Sequence, residues 1–151
     1  MSSKPTDFAT QVKLAVYQVT AATGAIPSLD VVAKKAGASK AAVKEAYAQL
    51  QASRLLFLEK DGVTIRMAPP FSGVPTEHKV TVGDITYDAN CAWDALGIVA
   101  ALHRPGLVRS HCAQSREALY LPVEITGPAP STWIFHCLVP AARWWEDLVF
   151  T

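Results

Sequence analysis

Residues 28–67 read SLDVVAKKAGASKAAVKEAYAQLQASRLLFLEKDGVTIRM, and this stretch decides how the first half folds. Ser28 is placed to cap a short helix, Leu29–Ala36, which Gly37 ends. Ser39 caps the next helix, residues 40–53, with Ala42, Val43, Ala46, Tyr47 and Leu50 on one face. Two apolar runs follow, Leu55-Leu56-Phe57-Leu58 and Val63-Thr64-Ile65-Arg66-Met67. Asp61-Gly62 between them marks a β-hairpin. On the N-terminal side, Phe8, Val12, Ala15, Val16 and Val19 recur at helical spacing, and Gly24 and Pro27 close the run. Three helices with a Gly turn between the last two, then a hairpin, predict a helix-turn-helix, winged-helix-like module over residues 1–68.

On the C-terminal side, Pro69, Pro70, Gly73 and Pro75 punctuate a linker over residues 68–75. Residues 78–82 and 85–87 read as short strands around Gly83-Asp84. Ala92–Leu102 reads as a helix, stopped by His103-Arg104-Pro105-Gly106. Residues 107–112, 118–125 and 133–139 are strand-like, and a last helical pattern runs from Ala141 to the end. The expected class is α+β: the N-terminal three-helix module, then a small mixed β-sheet domain with one central helix over residues 69–151.

The chain has 151 residues, half of them hydrophobic and 18% charged, which argues against general disorder. No apolar run approaches the ~18 residues of a membrane span, which excludes a transmembrane protein. Met1-Ser2-Ser3-Lys4-Pro5 lacks the apolar core of a secretory signal, so the cytoplasm is the expected location. Residues 1–60 carry eight Lys/Arg against four Asp/Glu, and residues 61–151 carry six against nine. The front is mildly basic and the back mildly acidic. The three cysteines, Cys91, Cys112 and Cys137, form no CxxC and read as reduced thiols.

The chemistry concentrates in Tyr87-Asp88-Ala89-Asn90-Cys91-Ala92-Trp93-Asp94-Ala95-Leu96-Gly97. Asn90 is a good N-cap, which places Cys91 in the first helical turn. There the free N–H groups and the helix dipole are expected to favour a thiolate and lower its pKa. Asp94, three residues on, shares a face with the sulfur. A thiolate beside a carboxyl group is suited to binding a soft electrophile and moving a proton near it. The same spacing also fits a small core cysteine and a first-turn acid that complements the dipole.

Asn90-Cys91-Ala92-Trp93-Asp94-Ala95-Leu96-Gly97 resembles the active-site segment of the organomercurial (alkylmercury) lyases. Arg109-Ser110-His111-Cys112-Ala113 resembles the family's Ser-His-Cys-Ala stretch. Pro70-Phe71-Ser72, Leu138-Val139-Pro140 and Trp145-Glu146-Asp147 are similar to further family segments in matching order. The resemblance implies protonolysis of a carbon–mercury bond, releasing a hydrocarbon and Hg(II). It implies Cys91 as the thiolate that captures mercury, Asp94 as the proton donor and Cys112 as a structural cysteine. It further implies no organic cofactor, an organomercury substrate, and handover of Hg(II) to a mercuric reductase. Mercury is a soft metal, for which thiolate is the preferred ligand. The family's second active-site cysteine follows the Val-Pro and Trp segment. Here that register falls at or just beyond Thr151, so residues 69–151 read as a C-terminally incomplete catalytic domain. Cys137 is the remaining thiol that would serve as a second mercury ligand; it is otherwise a core strand residue. With one thiol alone, cleavage is expected to be slow or absent.

Two other readings compete. His111-Cys112 and His136-Cys137 invite a zinc site, to which His103 before the Pro-Gly turn would add a third ligand, but adjacent strand residues face opposite ways, so the two pairs give two ligands where structural zinc takes four. A DNA-binding or thiol-based sensing regulator would use the Ser39 helix, whose polar face carries Lys40, Lys44 and Gln51. That helix has no Arg near its start, the commonest specific base reader. Trp93, Trp133, Trp144 and Trp145 read first as core and rim packing.

Overall fold

A computed structural model describes residues 7–146. Helix α1 (Phe8–Thr23) starts where the Asp7 carboxylate accepts the Thr10 N–H at 3.0 Å. It ends at Gly24, whose φ of 80° is the left-handed conformation glycine adopts at least cost. Helices α2 (Leu29–Ala36) and α3 (Lys40–Ala52) follow at the expected positions. Ser39 Oγ accepts the Ala42 N–H at 3.2 Å, whereas Ser28 makes no side-chain cap bond. Val12, Val16, Val32, Val43, Tyr47, Leu50 and Leu56 form the first core cluster.

Strands β1 (Phe57–Leu58), β2 (Ile65–Ala68) and β3 (Phe71–Ser72) make a three-stranded antiparallel sheet in chain order. The Asp61 carboxylate holds the β1–β2 turn by accepting the Val63 and Thr64 N–H groups at 2.9 and 2.8 Å. The punctuated stretch 68–75 contains the Pro69-Pro70 turn and β3.

The second sheet holds β4 (Lys79–Val82), β5 (Ile85–Asp88), β6 (Gly106–His111), β7 (Ala118–Glu124) and β8 (Gly127–Pro128) in the order β5-β4-β6-β7-β8. Helix α4 (Ala92–Leu102) crosses from β5 to β6. The α+β class expected from the sequence is the class observed. A mixed sheet was expected, but every pairing among the described residues is antiparallel. The reason lies in the crossover. The two strands that α4 connects run parallel, but β4 lies between them and is antiparallel to both. Ala95, Ile98 and Val99 of α4 are buried with Val80, Val82, Tyr87 and Val108 in the second core cluster.

Two expectations near the end of the chain are corrected. Residues 133–139 form no strand, and 133–138 are exposed, with Ile134 89% and Leu138 79% accessible. Pro130 and Pro140 bracket the stretch, and proline cannot donate to a sheet ladder. Ala141–Glu146 is a 3-10 helix. The remainder of the helical pattern, residues 147–151, lies outside the described residues, as does the register of the family's second cysteine. Among the described residues, no helix is long and apolar enough to cross a membrane.

The two clusters meet through α1. Tyr17 and Ile26 pack against both. Tyr17 Oη donates to the Pro69 carbonyl at 2.7 Å, and Tyr87 Oη donates to the Ala21 carbonyl at 2.6 Å. Tyr17→Phe keeps the ring and deletes the first bond. It is expected to cost about 0.5–1.5 kcal/mol, read as a lowered urea midpoint at unchanged slope.

Candidate active site

Helix α4 begins where the chain leaves β5. Asn90 was expected to cap it. Instead Cys91 occupies the cap position, with extended backbone (φ −148°, ψ 179°) and no side-chain bond to the helix N–H groups. The thiol turns to the first helical turn and donates to Asp94 Oδ2 at 3.5 Å. The i, i+3 spacing thus brings thiol and carboxyl together.

The electrostatics differ from the sequence expectation. Burial pushes the Cys91 thiol up to about 11, and the Asp94 charge adds to the rise. A lowered value was expected from the helix dipole. At the cap position desolvation outweighs the dipole, because removing a charged sulfur from water costs more than one turn of oriented N–H groups returns. Burial also raises the Asp94 carboxyl above its ordinary range. Both groups therefore hold protons more tightly than their free counterparts do.

The pair opens into a cleft of about 180 Å³ lined by Met67, Pro69, Asn90, Cys91, Trp93, Asp94, Trp144 and Trp145. A wider, open groove of about 710 Å³ lies between α3 and the β1–β2 turn, lined by Lys44, Gln51, Glu59 and Lys60 among others. It holds no thiol and no imidazole. The cleft is assembled from distant segments. Met67 and Pro69 come from the end of β2 and the turn after it, the thiol and acid from α4, and the two tryptophans from the 3-10 helix. Gly97 of α4 sits against Pro70, where an added Cβ would lie 3.1 Å from the Pro70 Cβ. Gly97→Val is expected to push the Pro69-Pro70 turn, destabilise the chain by about 1–3 kcal/mol in urea unfolding, and slow thiol modification at Cys91.

The other candidates lie elsewhere. Cys112 follows β6, where its sulfur accepts the Ser115 N–H at 3.5 Å inside the turn to β7. Cys137 is exposed in the irregular segment, and its sulfur donates to the Val139 carbonyl at 3.1 Å. His111 pairs with Glu77 at 3.3 Å, and Glu77 also pairs with Arg116 at 2.6 Å. His103 is the left-handed C-cap of α4. Among the described residues, no group of three or more His, Cys, Asp or Glu is placed to hold a metal ion. Sequence reasoning missed Met67, Pro69, Trp144 and Trp145 as cleft residues. The adjacent tryptophans were the available signal, and they read equally well as packing.

Fold and site together define an α+β protein with a half-buried thiol–carboxyl pair at the head of a crossover helix. The family model for alkylmercury lyase, MerB, matches residues 71–151, and the chain belongs to that family. Among solved structures it is similar to the crystal structure of the mercury-bound form of MerB2, with a TM-score of 0.63 and 21% identity. The likeness covers 85% of this chain and 61% of that one, so the chain spans about three fifths of the neighbour's length. At that identity the likeness carries the fold. No curated protein sequence matches the chain.

Proposed function

We propose that this chain captures organomercury(II) cations at Cys91 and cleaves their carbon–mercury bond with a proton carried by Asp94. The observation that carries the reading is the Cys91–Asp94 contact at 3.5 Å, open to an apolar cleft, in a member of the alkylmercury lyase family. In the first step mercury of R–Hg⁺ bonds to the Cys91 sulfur, and the thiol proton passes to the Asp94 carboxylate. In the second step the carbon–mercury bond breaks, and its electron pair takes the proton from Asp94 to form R–H. Hg(II) stays on the Cys91 sulfur beside an ionised Asp94. A soft metal suits the sulfur, and a carboxyl raised by burial is a better proton acceptor for the first step than a free one.

In this reading residues 69–151 carry the chemistry and residues 1–68 support them through α1 and the Pro69 contact. Cys112 closes the β6–β7 turn and takes no part. Cys137 does not line the cleft. A DNA-binding role finds little in α3, which carries no Arg near its start. The released Hg(II) would pass to a thiol-bearing acceptor such as a mercuric reductase. Incubation with phenylmercury tests the reading. Stoichiometric mercury uptake with slow benzene release is expected, since Cys91 is the one thiol lining the cleft among the described residues. Mercury uptake with no benzene would reduce the function to binding.

A further inference from the structure

Trp144 and Trp145 line the cleft that holds Cys91 and Asp94, yet both come from the far end of the described chain. Trp144 Nε1 donates to the Val139 carbonyl at 2.8 Å, a bond within its own segment. Trp145 is held from the N-terminal half. Its ring stacks on Phe57 of β1, with centroids 4.9 Å apart and 28° between planes. The Arg54 guanidinium carbon lies 5.8 Å from the centroid of the same ring. Arg54 has a φ of 58°, in the turn that carries the chain from α3 to β1.

We propose that Trp145 sets the preference of the site for the organic group on mercury, with Phe57 and Arg54 as the positioning residues that hold it, so that flat aromatic groups are favoured over methyl. The proposal rests on Cys91 as the capturing thiol. Its physical basis is size and surface. A cleft of about 180 Å³ is comparable to the ~150 Å³ apolar cavity that accommodates benzene. With Phe57 stacked on the indole and Arg54 over it, an aryl group bound through Cys91 meets the edge of Trp145 with its π face, and edge-to-face aromatic pairs gain beyond the area they bury. A methyl group has neither face nor comparable area. The Phe57 stack and the Arg54 cation fix the indole before substrate arrives, so little ordering is left to be done on binding.

The test is competition between the protein and a small thiol for phenylmercury and for methylmercury, with Cys112→Ser and Cys137→Ser in place so that Cys91 alone reports. The chain is expected to favour phenylmercury over methylmercury by ~2- to 10-fold relative to the small thiol. Trp145→Ala should erase that preference and Trp145→Phe should keep most of it. Phe57→Leu, which fills β1 without a ring, and Arg54→Gln should each lower it while methylmercury exchange stays unchanged. Equal affinity for the two ligands, or a preference that survives Trp145→Ala, overturns the specificity role. A preference that Trp145→Ala removes but both Phe57→Leu and Arg54→Gln leave intact overturns the positioning role. Failure of the cleavage reading is separable, because binding is read whether or not hydrocarbon is released. Capture that persists in Cys91→Ser would sink both readings together.

Discussion

Cys91→Ser is expected to abolish mercury capture in the cleft and, with it, all hydrocarbon release. The substitution keeps the shape of the α4 cap and the reach to Asp94, so the fold is expected to stand. What it removes is the soft ligand, and a serine oxygen is a poor partner for a soft metal. The checks are mercury stoichiometry by mass spectrometry, again with Cys112→Ser and Cys137→Ser in place, and headspace detection of the hydrocarbon. Stoichiometric binding that survives would place the capturing group outside the cleft. The substitution also has a consequence for stability. Burial raises the Cys91 pKa from 9.0 to about 11, so the folded chain holds the thiol proton more tightly than the unfolded chain does. The stability this contributes is complete below 9.0 and is lost as the pH rises through about 11. Cys91→Ser should lack that alkaline loss, which urea unfolding across this range would read.

Asp94→Asn is expected to separate capture from cleavage. Mercury should still bind at Cys91, while hydrocarbon release falls by ~10²- to 10⁴-fold, the usual contribution of a positioned acid–base group. The pH dependence of capture should change as well. In the parent chain Asp94 takes the thiol proton as mercury arrives, so capture proceeds well below the thiol pKa. With asparagine that acceptor is gone, and the capture rate should follow the thiolate fraction, rising tenfold per pH unit until the thiol titrates. The thiol itself should titrate lower than about 11, because the carboxylate charge is removed while burial, the larger cause, remains. Thiolate absorbance against pH measures this directly. Release unchanged in Asp94→Asn would remove the carboxyl from the reaction and leave Cys91 as a binding residue.

The two outcomes depend on features that were unequally legible in the amino-acid order. Helix α4 was readable to its last residue because His103-Arg104-Pro105-Gly106 stops it, and to within one residue at its start, where the cap is Cys91 and not Asn90. The closeness of Cys91 to Asp94 followed from three-residue spacing, a local property of any helix. The charge state of the pair did not follow. The same sulfur that the dipole argument would ionise is held as a thiol by burial, and burial here depends on Met67, Pro69 and the tryptophans, which lie up to 54 positions away in the chain. Residues 133–139 failed in the opposite direction. Their near-continuous run of apolar, β-prone residues suits a strand, yet a strand needs a neighbour to exchange hydrogen bonds with, and none pairs with it among the described residues.

The local order of residues therefore determined the helices, the hairpin turns, the α+β class and the thiol–carboxyl spacing, because each depends on interactions within a few positions. The tertiary structure alone decided the antiparallel sheet, the walls of the cleft, the docking of Trp145 on Phe57 and Arg54, and the protonation of Cys91. These depend on which distant surfaces exclude water from one another, and a linear pattern does not specify that choice.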